Sequence, residues 1–242
     1  MSGEEGASRP NAAAATEDFE FAALGEAANY RRALADEFAP HLRGGVIEVG
    51  AGIGQFTAEL IRLPEIRRLI SVEPEGAFCA RHRLAFPGRV LVEGTLDDVA
   101  GGDWDGIVSI NVLEHIEEDA AELERSAALL RARHGHLCLF VPARPEIYAP
   151  IDRDFGHFRR YTLPGLRAKL EAAGFEVVRL SYFNLPGYFL WWLNFCLLKK
   201  RGFEPWKVRA YDRAIFPWAH RLESRVMRPP IGQSLIAVAR AR

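Results

Sequence analysis

Two groups of residues in this chain have the types and spacing that chemistry needs. The first lies in the run VIEVGAGIGQFT, Val46 to Thr57, where Gly50, Gly52 and Gly54 follow an apolar stretch and Glu48 stands two residues ahead of the turn. A strand that leads straight into alternating glycines turns tightly and lets a ligand approach its backbone. A turn that cradles a dinucleotide pyrophosphate reads G-x-G-x-x-G, because its third glycine lets the next helix pack close to the strand. That position here is Gln55, which disfavours a nicotinamide cofactor. The Glu48 carboxylate would repel a pyrophosphate and attract an ammonium group. Glu73, at the end of the next apolar run, falls about 20 residues past the glycines, where an acid accepts hydrogen bonds from a ribose diol. A ribose joined to an amino acid with a sulfonium satisfies both acids, and S-adenosylmethionine is such a molecule.

The second group consists of His115, four residues past Asn111, and the loop DRDFGHFRRY, Asp152 to Tyr161. Activating an alcohol or phenol requires removal of a proton, and a histidine titrating near neutrality suits that task. His157 and His115 are therefore candidate bases, with Tyr161 as a third catalytic candidate and Arg159 and Arg160 positioning the acceptor. A salt-bridged structural loop is the competing reading. Asp152, Asp154 and His157 offer oxygen and nitrogen ligands, but one short loop without further ligands at telling spacing is poor support for a metal, and none is expected. His134 and His136 fall at the start of a strand, away from the active edge, and read as structural.

The elements that must position these groups follow from alternating apolar runs. VIEVG, RLISVE, VLVEG, WDGIVSIN and HLCLFVPA read as five strands, separated by helical stretches at GQFTAELIRL, GAFCARHRLAF and VLEHIEEDAAELERSAALLRA. A further helix spans FAALGEAANYRRALADEFAPHL ahead of the first strand. After the fifth strand comes a helix capped by Thr162 and ended by Gly174, then two more strands, the last being SLIAVARA. This order predicts an α/β, Rossmann-like, doubly wound and mostly parallel seven-stranded sheet with helices on both faces. Ligands of such sheets sit at the carboxyl ends of the strands, where the glycines and acids fall. Residues 1–18 read as a flexible tail without the features of a signal peptide. Residues 19–242 form one domain, with an insertion at 184–231 between the last two strands.

The 242 residues carry a net charge of -1, which conceals an asymmetry. Residues 1–150 hold 14 Lys and Arg against 25 Asp and Glu, while residues 151–242 hold 17 against 7. The later part either meets something anionic or packs against the acidic part. Cys79, Cys138 and Cys196 are too scattered for a disulfide framework and fit a reducing, cytoplasmic setting. Tyr182, Asn184 and Trp191 mark an aromatic segment, residues 182–201, that ends in Lys199, Lys200 and Arg201. Asn184, Pro186, Gly187 and Asn194 interrupt it, so it is too short to span a bilayer. Three placements fit it: a lid over the acceptor, a contact within a homodimer, or a peripheral contact of 184–201 with the inner face of a membrane.

The motif Glu48 to Gly54, the acid Glu73, the segment EGTLDD and the segment NVLEHIEED together resemble the class I S-adenosylmethionine-dependent methyltransferases. Asn29, Tyr30, Gly156, His157, Arg159, Arg160 and Tyr161 match bacterial members associated with glycan, lipid or secondary-metabolite pathways. The resemblance implies S-adenosylmethionine as cofactor, with S-adenosylhomocysteine as product. It places Tyr30, Glu48, Gly50, Ala51, Gly52, Gly54, Gln55, Phe56, Thr57, Glu73 and Pro74 at the cofactor, together with Thr95, Leu96, Asn111, Val112 and Leu113. Thr95 stands where relatives often have an acid, which leaves the adenine to the backbone and Leu96. Tyr182, Asn184 and Trp191 join Arg159 and Arg160 on the acceptor side. The implied activity is O-methylation of a small-molecule or lipid-linked acceptor. N- or C-methylation, and a cofactor-binding scaffold without turnover, remain alternatives. A nucleic-acid substrate is not expected, because Asn111-Val112-Leu113-Glu114 lacks the N/D-P-P-[YF] pattern of base methylation.

Overall fold

Apolar runs that are buried on both sides can only be strands of a sheet covered on both faces, and this is how the chain folds. The computed structural model describes residues 25–202, 204–225 and 229–242; the tail expected at 1–18 lies outside them. Helix α1 (Ala28–Phe38) precedes β1 (Gly44–Val49), α2 (Thr57–Leu60), β2 (Ile66–Glu73), α3 (Gly76–Ala85) and β3 (Val90–Glu93). There follow β4 (Gly106–Ile110), α4 (Asp119–Arg131), β5 (His136–Pro142), α5 (Pro150–Asp154), α6 (Leu163–Ala172) and β6 (Phe175–Phe183). Helix α7 (Leu185–Trp191) runs into a π-helical turn (Trp192–Leu197), then α8 (Pro205–Ala214), α9 (Phe216–Arg225) and β7 (Ser234–Ala241).

The strand order is β3-β2-β1-β4-β5-β7-β6, and only β7 runs against its neighbours. Strand direction along the chain therefore reverses its spatial progress between β1 and β4, the point at which an open sheet leaves a crevice. Successive side chains alternate between the faces. Val46, Val108, Cys138 and Val238 pack with Leu34 and Phe38 of α1, while Ile47, Ile107, Leu137 and Ala239 pack with Leu123 and Leu130 of α4 and Leu166 of α6.

Two helices differ from their sequence patterns. The run Gly54 to Leu63 yields only the four residues of α2, because Gly54 is still turning at φ +91° and Leu63 precedes Pro64, which disfavours helical backbone. The run Val112 to Ala132 is divided into a 3-10 turn at Leu113–His115 and α4 from Asp119. Between them, the carbonyls of Ile116 and Glu117 accept hydrogen bonds from Arg159 at 3.1 and 2.8 Å. The insertion between β6 and β7 contains α7, the π-helical turn, α8 and α9. It is tied to α1, where Asp212 of α8 accepts the backbone N–H groups of Asn29 and Tyr30 at 3.0 and 2.9 Å.

Candidate active site

The crevice at the ends of β1 and β4 is built mainly from backbone. Gly50, Gly52 and Gly54 have φ of +68°, +53° and +91°, a region that side chains strain to enter. A Cβ at Gly50 would lie 2.2 Å from Val112 Cγ2, and one at Gly54 would lie 2.2 Å from Phe86. The glycine loop thus touches the loop after β4. Asn111, at the end of β4, also has positive φ, +52°, and its N–H donates to the Phe140 carbonyl at 2.9 Å. Ala51 is buried beneath the turn, its N–H donating to the Val72 carbonyl at 3.1 Å.

Glu48 is buried below that loop. Its Oε2 accepts the hydroxyls of Thr57 and Ser71 at 2.6 and 2.7 Å, while Oε1 has no hydrogen-bond partner among the described residues. Burial raises its pKa to about 7, against the opposing effect of the two hydroxyls. A carboxyl group poised in this way gains by facing a cation. Thr57 serves Glu48 and approaches His82 Nε2 at 3.1 Å, and Phe56 is packed into the core with Phe140, so both brace the loop from below.

Glu73 ends β2 beside the same turn. Its two oxygens accept the N–H groups of Gly52 at 2.8 Å and Glu75 at 3.0 Å, which fixes the carboxylate against the glycines. A carboxylate has about four acceptor positions, so this grip is compatible with a diol. Pro74 follows, exposed. The N–H of Gly94 donates to the Glu73 carbonyl at 3.0 Å, bringing EGTLDD alongside. Thr95 caps the turn Leu96–Asp98, and its N–H donates to Asp98 Oδ2 at 2.8 Å; Leu96 points into the core with Leu113. Leu96 therefore shapes this wall from behind. Gln55 is half-buried at the rim.

The second chemical group assembles at the ends of β4 and β5. His115 and His157 meet edge to face with centroids 4.6 Å apart, and Glu114, fully buried, lies with Oε1 4.0 Å from His157 Nε2. His157 Nδ1 is 3.1 Å from Asp152 Oδ1, which also accepts Arg160 Nε and Nη2 at 2.8 Å each. Burial would raise the Asp152 carboxyl, but its bonds to His157 and Arg160 outweigh that and hold it below the ordinary range. Burial, with His157 alongside, lowers His115 to about 4. Gly156, at φ +80°, would put a Cβ 3.7 Å from His115 Nδ1, so this turn brings the two imidazoles together.

The Tyr161 hydroxyl is buried, 2.9 Å from Asp119 Oδ2 and 3.1 Å from the Leu113 carbonyl, and burial beside Asp119 raises its pKa, so it braces the Leu113–His115 turn. Arg160 is buried, bonding Asp152 and the Ala143 carbonyl, and lies over Trp191, so it fixes the carboxylate that meets His157. Arg159 is committed to Ile116, Glu117 and Asp119. Trp191 is buried with Phe195, its Nε1 donating to the Ile147 carbonyl at 3.1 Å. Asn184, at φ +64°, caps α7 and bonds Gln233 and Tyr211. The Tyr30 ring is half-buried and packs against the core through Phe140, Phe183 and Phe216. Tyr182 remains half-exposed near the Arg144 guanidinium. Glu114 and the supporting role of Asp152 escaped the sequence reading; the only local signal for Glu114 was its place beside His115.

Comparison with known proteins agrees with this geometry. A family model described as a methyltransferase domain matches residues 23–180. No curated protein is similar in sequence. A methyltransferase from Haloferax volcanii, solved in complex with the Trm112 methyltransferase activator, is 16% identical with a TM-score of 0.61, covering 97% of this chain and 99% of its own. An S-adenosylmethionine-dependent methyltransferase from Mesorhizobium loti is 17% identical, TM-score 0.58, over 85% of this chain and 95% of its own. The cyclopropane synthase MmaA2 of Mycobacterium tuberculosis is 15% identical, TM-score 0.56, over 85% and 82%. The positive-φ glycine cradle, the buried Glu48 with its unpartnered oxygen and the Glu73 carboxylate fit S-adenosylmethionine, which supplies an electrophilic methyl carbon on a cationic sulfur. The chain belongs to the methyltransferase-domain family, the S-adenosylmethionine-dependent class I methyltransferases.

Proposed function

We propose that the chain methylates a hydroxyl oxygen of a small-molecule or lipid-linked acceptor. The observation that carries this reading is the facing pair His115 and His157, the latter backed by Asp152 and the former three residues along the chain from the Val112 that abuts the glycine turn. In-line methyl transfer needs the acceptor held close to the methyl carbon in the right direction, and orientation provides most of the effect. An acceptor hydroxyl also needs a base, and His157 is oriented for it. Asp152 takes the Nδ1 side of the ring, which leaves Nε2 as the proton acceptor. The test is methyl transfer to matched acceptors that differ only in a hydroxyl, an amine or neither. Turnover of the hydroxyl compound alone is expected; methylation of the amine alone would overturn the reading.

The acceptor's lipid-linked character rests on the insertion. Among the described residues, ten of the fifteen exposed large apolar side chains fall between Phe189 and Leu222, including Trp192, Trp206 and Trp218. Along α7 and the π-helical turn, Phe189, Leu190, Trp192, Leu193 and Leu197 face outward, opposite the buried Gly187, Trp191 and Phe195. Residues 184–231 carry nine Lys and Arg against three acids, and Lys199, Lys200 and Arg201 follow the apolar face directly. Among the described residues no helix is long and apolar enough to cross a membrane. An apolar face bordered by cations suits the surface of an anionic bilayer.

A further inference from the structure

We propose that Glu114, His115 and His157 bind a divalent first-row transition-metal ion, and that this ion selects acceptors with two adjacent oxygens. The inference deepens the oxygen-methylation reading and rests on it for the ion's role, though not for the ion's binding. One ligating atom from each of the three residues lies within 4.8 Å of the other two. Metal–nitrogen and metal–oxygen bonds of about 2.0–2.2 Å place ligand atoms roughly 3 Å apart, so modest side-chain rotation closes the site.

The orientation of His157 is the second observation. Nε2 is buried, has no hydrogen-bond partner among the described residues, and is aimed at Glu114 Oε1 from 4.0 Å, too far for a hydrogen bond. The other ring nitrogen meets Asp152, and Asp152 is itself fixed by Arg160 and by the Ala149 N–H at 2.8 Å. A carboxylate on the outer nitrogen orients a metal-binding histidine and presents the inner lone pair to the ion. Two imidazoles and one carboxylate suit zinc, cobalt, iron or manganese better than calcium, and three protein ligands leave positions open. Two neighbouring acceptor oxygens would fill them. The bound hydroxyl is then acidified and its proton goes to water. The oxygen–carbon bond forms as the carbon–sulfur bond breaks, and sulfur keeps the electron pair, giving a methyl ether and S-adenosylhomocysteine. In that state His157 holds the ion, and the ion takes over the task of acidifying the hydroxyl. The ligands come from two places far apart in sequence: His157 lies in the loop beyond β5, and the fold brings Glu114 and His115 to it from the turn after β4.

The test is titration of metal-stripped full-length protein with Co2+, read by visible absorption, and with Zn2+ in competition. One equivalent is expected, with affinity lowered at least ~100-fold in His157→Gln and in His115→Gln, and about 10–100-fold in Asp152→Asn. Retained binding of S-adenosylmethionine by the variants reports an intact fold. Should they not fold, X-ray absorption of the zinc-loaded wild type is expected to show imidazole and oxygen ligands. No stoichiometric uptake, unchanged affinity in both histidine variants, or a sulfur ligand would overturn the site. Undiminished methyl transfer by metal-free protein would overturn the ion's role in the reaction and leave oxygen methylation standing. Metal uptake accompanied by methylation of amines alone would leave the site standing and overturn the proposed function instead.

Discussion

The glycine crevice and the insertion handle their exposed groups in opposite ways. At the crevice, polar atoms are buried and oriented by backbone: Glu73 is held by two N–H groups, Glu48 by two hydroxyls, and the turn by three glycines at positive φ. In the insertion, apolar side chains are left in solvent, with Trp218 at 73% and Trp206 at 63% exposure. The first region is rigidly preorganised; the second is an apolar surface bordered by cations. The crevice therefore depends on geometry that tolerates little change, whereas the insertion presents a surface defined by composition more than by any one contact.

The contrast breaks most sharply at Gly50. Alanine there places a Cβ 2.2 Å from Val112 and strains a φ of +68°, and titration calorimetry should show S-adenosylmethionine affinity falling by more than about 100-fold, with left-handed backbone alone costing about 1–2 kcal/mol. Partial recovery in Gly50→Ala/Val112→Ala would confirm that the clash, beyond the strain, is responsible.

His157→Gln should lower kcat toward a hydroxyl acceptor by about 10²–10⁴-fold, the usual contribution of a positioned base, while cofactor affinity stays unchanged. An equal loss of cofactor affinity would place His157 in the cofactor site. At the insertion, neutralising Lys199, Lys200 and Arg201 together should weaken sedimentation with phosphatidylglycerol-containing vesicles by about 3 kcal/mol, from ~1 kcal/mol per cation. Binding that is indifferent to these cations, or a dimer in solution that hides the same face, would remove the membrane from the account.

The last expected effect concerns stability. Because the pKa of Glu48 is raised from 4.5 to about 7, the folded state holds a proton that the unfolded chain has lost. Its contribution is therefore full below pH 4.5 and declines as pH rises toward 7. Denaturant unfolding should show the wild type losing on the order of 3 kcal/mol across that window relative to Glu48→Gln. Parallel pH profiles would mean that Glu48 is ionised in the free protein.

The strands and the glycine loop were legible because they are local: a buried apolar run and a turn at positive φ announce themselves within a few residues. The division of the Val112–Ala132 run was not, since Arg159, over forty residues away, takes the carbonyls that a continuous helix would have used. The tie between Tyr30 and the insertion was also not legible: the N–H groups of Asn29 and Tyr30 donate to Asp212, more than 180 residues away. The cluster of Glu114, His115 and His157 is likewise a product of β4 and β5 lying side by side.

The central claim is that the Glu73 carboxylate and the glycine turn hold S-adenosylmethionine. Isothermal titration of S-adenosylmethionine and S-adenosylhomocysteine into the wild type and into Glu73→Ala tests it most directly. The account predicts binding of both by the wild type and a marked loss in the variant, whose ribose acceptor and glycine-loop brace are gone together. Equal affinity in the two proteins would contradict the assignment of Glu73, and no binding by either would contradict the cofactor site itself.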